Sequence, residues 1–281
     1  MSKAAYTGMV VVAALVPASV HAQADPFVWE NATEFSYVAT AGNSSSNTLG
    51  LKTSLVGSNE ARGFKLELGG IRASSSITTR TAVGTTTVWV VNEVVDSKRS
   101  AENYFARSRY DQAVGGAFAF GGAGWERNTF SGVSHRVSLV AGMGKTWVEG
   151  EGGRFKTDLG GTYTIEKDVE PDPLDNEGFG GVRATIEGSR ALNTTTDLTT
   201  TLVLDENLRD TEDLRLDWVA SIAIALTEGL AFKTSYQMLF DNDPAKTSIP
   251  LFDAGNTMTG TVQNPSQKVD SLLTLSLVIK L

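Results

Sequence analysis

Between Val133 and Val148 the side chains alternate without a break. Val133, His135, Val137, Leu139, Ala141, Met143, Lys145 and Trp147 fall on one face of an extended chain. Ser134, Arg136, Ser138, Val140, Gly142, Gly144, Thr146 and Val148 fall on the other. One face is apolar through its middle and ends near a Trp; the other is small and polar and carries an Arg. A period of two sustained this long makes a strand well beyond the ~5–6 residues usual in globular sheets. It fits a membrane-crossing β-strand, which needs about 9–11 residues with lipid-facing and lumen-facing side chains in alternation.

The pattern recurs. About twelve strands are expected, near Trp29–Ala41, Asn47–Val56, Gly63–Arg72, Ser100–Arg109, Val114–Glu126, Val133–Val148, Arg154–Glu166, Phe179–Arg190, Thr195–Glu206, Asp213–Leu226, Leu230–Phe240 and Val269–Leu281. Val114–Glu126 shows the pattern least, because Ala and Gly occupy both of its faces. The connections alternate in length. Gly57–Arg62, Tyr110–Ala113, Glu149–Gly153, Ala191–Thr194 and Thr227–Gly229 are short. Ala73–Arg99, Arg127–Gly132, Lys167–Gly178, Asn207–Glu212 and Asp241–Lys268 are mostly longer. Outer-membrane barrels join their strands by short periplasmic turns and longer outer loops. The expectation is therefore an all-β, transmembrane antiparallel β-barrel in the cell outer membrane, with outer-membrane lipid as its first partner.

Composition narrows the choice. No apolar run approaches the ~18 residues of a membrane helix. Lys3, the apolar stretch Met9–Val16 and the small residues before Ala22 or Ala24 resemble a cleaved secretory signal. This divides the chain into a signal peptide, residues 1–24, and a barrel domain, residues 25–281. The formal net charge is −8, and loss of Lys3 makes it −9, so nucleic acid is not an expected partner. An exported chain with no cysteine has no disulfide framework. Acidic residues crowd one outer connection (Asp168, Glu170, Asp172, Asp175, Glu177), but without the Asp-x-Asp-x-Asp-Gly pattern of a calcium loop. They are read as a solvated, charge-repelled loop.

Turning the polar faces inward yields a lumen rich in both signs of charge. Arg136, Arg183, Arg215, Lys65 and Arg107 are its leading cations, and Glu67, Glu126, Glu187, Asp197 and Asp217 its leading carboxylates. Charges withdrawn from water persist when paired and hydrogen-bonded. A cross-strand ion-pair network in a narrow or filled interior is expected, open at most to small solutes. A catalytic reading has little to stand on. His21 departs with the signal, and His135 is adjacent to Ser134, so the two side chains point to opposite faces. No metal, thiol or nucleotide pattern is present, and no cofactor is expected.

Several segments resemble the domain-of-unknown-function family of salt-induced outer membrane proteins. They are Ser36-Tyr37-Val38-Ala39-Thr40-Ala41-Gly42-Asn43, Trp125-Glu126-Arg127-Asn128-Thr129-Phe130-Ser131-Gly132 and Ser138-Leu139-Val140-Ala141-Gly142-Met143-Gly144. Leu230-Ala231-Phe232-Lys233-Thr234-Ser235-Tyr236, Asp241-Asn242-Asp243-Pro244 and the closing strand from Lys268 complete the set. The resemblance implies fold and location, and brings no catalytic residues with it. Outer-membrane strands bound by the barrel-assembly machinery usually end on an aromatic residue. Here the last residue is Leu281, behind the alternating Leu273, Leu275, Leu277 and Ile279. Ala73–Arg99 and Asp241–Lys268 are longer than the family leads one to expect, with room for local strand extensions. Two functions are compatible with all this: a structural, stress-related or narrowly pore-forming barrel, and an enzyme or ligand-binding barrel with its site in the outer loops.

Overall fold

A computed structural model of the chain describes residues 26–40, 44–84, 89–129, 131–170, 178–252, 254, 257–265 and 267–280. The expected signal, residues 1–24, lies outside them, as do Asp172, Asp175, Glu177 and Leu281. In chain order the strands are β1 (Val28–Thr40), β2 (Ser44–Ser58), β3 (Arg62–Gly84), β4 (Trp89–Val114), β5 (Ala117–Asn128), β6 (Val133–Gly150) and β7 (Gly153–Asp168). There follow β8 (Gly178–Ala191), β9 (Thr196–Asn207), β10 (Leu214–Thr227), β11 (Leu230–Asp241), β12 (Lys246–Phe252), β13 (Met258–Pro265) and β14 (Val269–Lys280). Twelve of them close into one antiparallel barrel in the order β1-β14-β11-β10-β9-β8-β7-β6-β5-β4-β3-β2, while β12 and β13 form a separate hairpin. The seam is β1 on β14, with Phe35 opposite Leu277. Four residue pairs, from Ala32 opposite Lys280 to Phe35 opposite Leu277, join the first strand to the last, and lipid favours such closure because it cannot hydrogen-bond exposed peptide groups.

The wall is one residue thick, so alternation along a strand becomes inside against outside. Along β6 every odd-numbered residue from His135 to Trp147 is exposed, and the even-numbered ones face in. Leu139 is 50% exposed, Met143 57%, Leu159 59% and Leu273 66%. An apolar belt of this kind around the whole barrel is intolerable in water and is what a bilayer requires. Aromatic residues rim it at both edges. Trp29, Phe64, Tyr110, Trp147 and Phe155 lie near the short turns, with the Trp29 and Phe64 rings 6.2 Å apart. Trp125, Tyr163, Trp218 and Tyr236 lie near the long loops, with Trp218 and Tyr236 6.1 Å apart. Phe155 and Tyr163 share strand β7, and eight residues on a strand tilted by about 40° rise roughly 20 Å, close to the ~25 Å of an outer-membrane belt. No helix among the described residues is long and apolar enough to cross a membrane; the chain crosses with strands.

One expectation about the connections changes, and the two long connections hold the strand extensions for which they have room. Within Ala73–Arg99, β3 and β4 stay paired out to Gly84 opposite Trp89, forming a ribbon that outruns the barrel. The Thr- and Val-rich sequence favours a strand with or without lipid around it. Tyr110–Ala113 is not a turn. The reversal comes at Gly115 and Gly116, with Val114 paired to Ala117, because a two-residue hairpin needs a positive φ and Gly115 supplies one at 62°. Asp241–Lys268 contains the β12–β13 hairpin, whose stem returns to the barrel at Pro244 and Lys268.

Candidate functional site

The interior has almost no apolar core. Among the described residues the buried hydrophobic side chains are Phe118, Phe120, Val133, Ala231 and Val278. Polar and charged side chains, interspersed with apolar ones such as Val140, Phe179 and Val203, surround a cavity of about 680 Å³. It is lined at the long-loop end by Pro244, Lys268 and Asp270 and at the short-turn end by Arg154, Ser189 and Thr199.

A chain of ion pairs crosses the long-loop half. The Arg136 guanidinium donates from Nε and Nη2 to both oxygens of Glu166, each at 2.8 Å. Its Nη1 donates to Glu126 at 2.7 Å. Register dictates this: Arg136 stands opposite Glu126 on β5 and opposite Glu166 on β7. A planar fork between two carboxylates uses most of its donors, which a lysine cannot match. Arg107 joins from β4, 3.3 Å from Glu126. On the far side Arg215 of β10 reaches Glu166 by Nη1, while its Nη2 donates to Asp213 at 3.0 Å and its Nε lies 3.6 Å from Asp241. Asp213 is itself held by the Asn207 amide at 2.9 Å.

A second layer sits near the short turns. Asp158, with 1% of its side chain accessible, lies 2.8 Å from Arg109. Asp111 bridges Arg109 and Lys156, each at 2.7 Å. Two rings sandwich these cations: Arg109 lies 4.0 Å from the Phe120 centroid and Lys156 4.4 Å from that of Phe118. Such contacts strengthen as water is excluded. The rings have room because the facing inner positions are glycines. A Cβ on Gly160 would approach Phe120 to 3.0 Å, and one on Gly144 would strike Phe118.

The remaining expected residues are distributed as follows. Arg183 forms a two-pronged pair with Asp205, at 2.7 and 2.9 Å, rather than with Glu187. Glu187 lies 4.0 Å from Lys156. Glu67 is shared by Lys52 at 3.1 Å and Lys65 at 3.2 Å. Asp217 accepts from the Gln237 amide at 2.8 Å and belongs to none of the ion pairs among the described residues. Asp197, expected in the lumen network, is outside it. It is the second residue of β9, at the rim where the wall ends, exposed beside Arg154 and Arg190 and not among the cavity-lining residues. A carboxylate there is solvated and needs no partner. The expected list also omitted Glu166, Asp213 and Asp111. For Glu166 a signal existed, since Asp158, Thr162 and Thr164 lead to it along one face of β7. His135 faces outward against Trp125, with ring centroids 6.2 Å apart, while Ser134 lies on the opposite face of the strand.

A family model described as "Protein of unknown function, DUF481" matches residues 33–280. The chain belongs to this family. The match runs from Thr33, within β1, to the last residue of β14, so it takes in all twelve wall strands of this DUF481 barrel but the first five residues of β1. It is also similar to the uncharacterized protein YdiY of Escherichia coli (strain K12), 25% identical over 210 residues, which is 70% of this chain and 79% of that protein. Among solved structures it is similar to the NanC porin, with TM-score 0.46 and 10% identity over 90% of this chain and 100% of that one. Another is the COG4313 outer membrane channel from Pseudomonas putida F1, with TM-score 0.42 and 13% identity over 95% of this chain and 100% of that one. Its closed antiparallel wall, apolar belt and paired girdles make this DUF481 barrel an outer-membrane β-barrel protein.

Proposed function

We propose that the protein is a narrow passage for small polar solutes through the outer membrane, with its long-loop end outside and its ion pairs bracing the wall. One observation carries this reading: a single cavity is lined by residues from both ends of the barrel, Lys268 and Asp270 at one and Arg154 and Ser189 at the other. Its inner surface is wet. Arg107 and Lys65 stand well inside the barrel yet keep 48% of their side chains accessible. Fully withdrawn, such charges would cost several kcal/mol each. The bracing network narrows the passage without sealing it, so the expected unit conductance is small. The reading gives the barrel transport and no catalytic chemistry.

Planar-bilayer recording of the refolded protein in KCl tests it. Discrete small conductance steps are expected. A protein that is folded by its heat-modifiable migration and adds no conductance would instead be a purely structural barrel. The chord between Arg215 and Glu166 across the long-loop end favours that second reading.

A further inference from the structure

The two signs of charge in the lumen are unevenly placed around it. In a closed wall of twelve strands, β2, β3 and β4 face β8, β9 and β10 across the diameter. The first arc turns Lys52, Lys65, Arg107 and Arg109 inward against Glu67 and Asp111. The second turns Glu187, Asp205, Asp213 and Asp217 inward against Arg183 and Arg215. One arc is left with an excess of positive charge, the other with an equal excess of negative charge. Pairing with the strands between the arcs, Arg107 with Glu126 and Arg109 with Asp158, cancels part of this and leaves the rest. Lys52 and Lys65 share a single carboxylate, and Asp217 is held by an amide. The two arcs sense one another: Arg107 lies in the field of Asp217 as well as those of Glu126 and Glu67.

We infer that the mid-lumen is a binding site for small zwitterions, with the β2–β4 wall taking the carboxylate end and the Asp217 side of the β8–β10 wall taking the ammonium end. A field across a passage orients a dipolar solute, whereas a lone anion or cation is attracted by one wall and repelled by the other. Low-dielectric walls focus that field, and hydroxyls of Thr201 and Ser221, toward the short-turn end from Asp217, offer neutral hydrogen bonds to the rest of the molecule. Neither sign of simple ion gains overall, so ion selectivity in KCl is expected to be slight. This rests on the passage proposed above and adds to it a class of solute.

The test uses the refolded full barrel in planar bilayers, with glycine, γ-aminobutyrate and ε-aminohexanoate as blockers of the KCl current. Butyrate and butylammonium serve as single-charge controls. At least one ω-amino acid is expected to half-block at a concentration about fivefold below both controls, the scale of one partly exposed charge pair. The best chain length reports the gap between the arcs. Asp217→Asn, which keeps the shape and the Gln237 contact, is expected to abolish the preference and move the reversal potential towards anion selectivity. Lys65→Gln, on the opposite arc, is expected to move it towards cations, so the inference does not hang on one variant. A conducting protein that blocks no better with any ω-amino acid than with butyrate overturns the zwitterion site and leaves the passage standing. So does a preference that survives both substitutions. A protein silent in KCl overturns the passage itself, and the site with it.

Discussion

Arg215 of β10 holds Glu166 of β7 across two intervening strands. The contact is a chord through the long-loop end of the lumen, where every other Glu166 partner comes from the adjacent strand. It ties together parts of the wall a quarter-turn apart and links Arg107, Glu126 and Arg136 on one side to Asp213 and Asp241 on the other.

Cutting the chord is expected to loosen the wall and widen the passage. Glu166→Gln leaves two guanidinium groups short of a carboxylate. Removing one partner of a fully buried pair costs about 3–5 kcal/mol; the Arg136 and Arg215 side chains are each 20% exposed, so a loss of about 1–3 kcal/mol is expected. The temperature at which the folded band disappears in heat-modifiability gels measures it. Single-channel current rises if the chord narrows the lumen, and an unchanged current would place the constriction elsewhere.

Arg136 and Arg107 share Glu126 but not their importance. Arg136 binds two carboxylates by three donors, whereas Arg107 has a single carboxylate contact at 3.3 Å, lies over the Phe105 ring and keeps half its side chain in water. Arg136→Ala is expected to lower the unfolding temperature markedly and to raise conductance, and Arg107→Ala to leave stability within about 1 kcal/mol, as exposed pairs do. Equal losses in the same gels would show that the two arginines brace the wall alike.

The lipid face of β6 is open to a direct check. Leu139→Arg puts a charge into the bilayer at a cost of roughly 2–4 kcal/mol, whereas Ser138→Arg puts it into the wet lumen. Refolding yield into detergent or lipid should fall for the first and change little for the second.

Glycines on the two faces of the wall differ in the same way. A Cβ on Gly160 meets the Ala141 carbonyl oxygen at 2.7 Å and the Phe120 ring at 3.0 Å, while one on Gly121 meets nothing within 4 Å. Gly160→Ala is expected to cost about 1–3 kcal/mol through overpacking, and Gly121→Ala to be neutral. Unfolding temperatures of the two variants decide it.

Orientation is testable because the chain has no cysteine of its own. Val169→Cys, at the long-loop end, is expected to react with a membrane-impermeant maleimide on intact cells. Glu151→Cys, in a short turn, is expected to react only after the outer membrane is opened. The reverse pattern would turn the barrel upside down.

The amino-acid sequence alone determined the wall. Period two is a local property, so the odd-numbered face of β6 from His135 to Trp147 and the leucines of β14 name the lipid side before any strand is paired. The same periodicity placed Arg136, Glu126, Arg183, Arg215 and Asp217 inside. It did not choose their partners. Partners depend on register and on curvature, which together bring Arg136 opposite Glu166 and bend β10 close enough for Arg215 to reach β7. Neither is encoded in any one strand. Closure likewise decided that Asp197 sits at the rim, that Phe118 and Phe120 fold over glycines of β6 and β7, and that β4 stands across from β10. The physical reason is that alternation needs only the nearest peptide bonds, whereas the pairing of charges and the direction of a field across the lumen exist only once twelve strands have closed on one another.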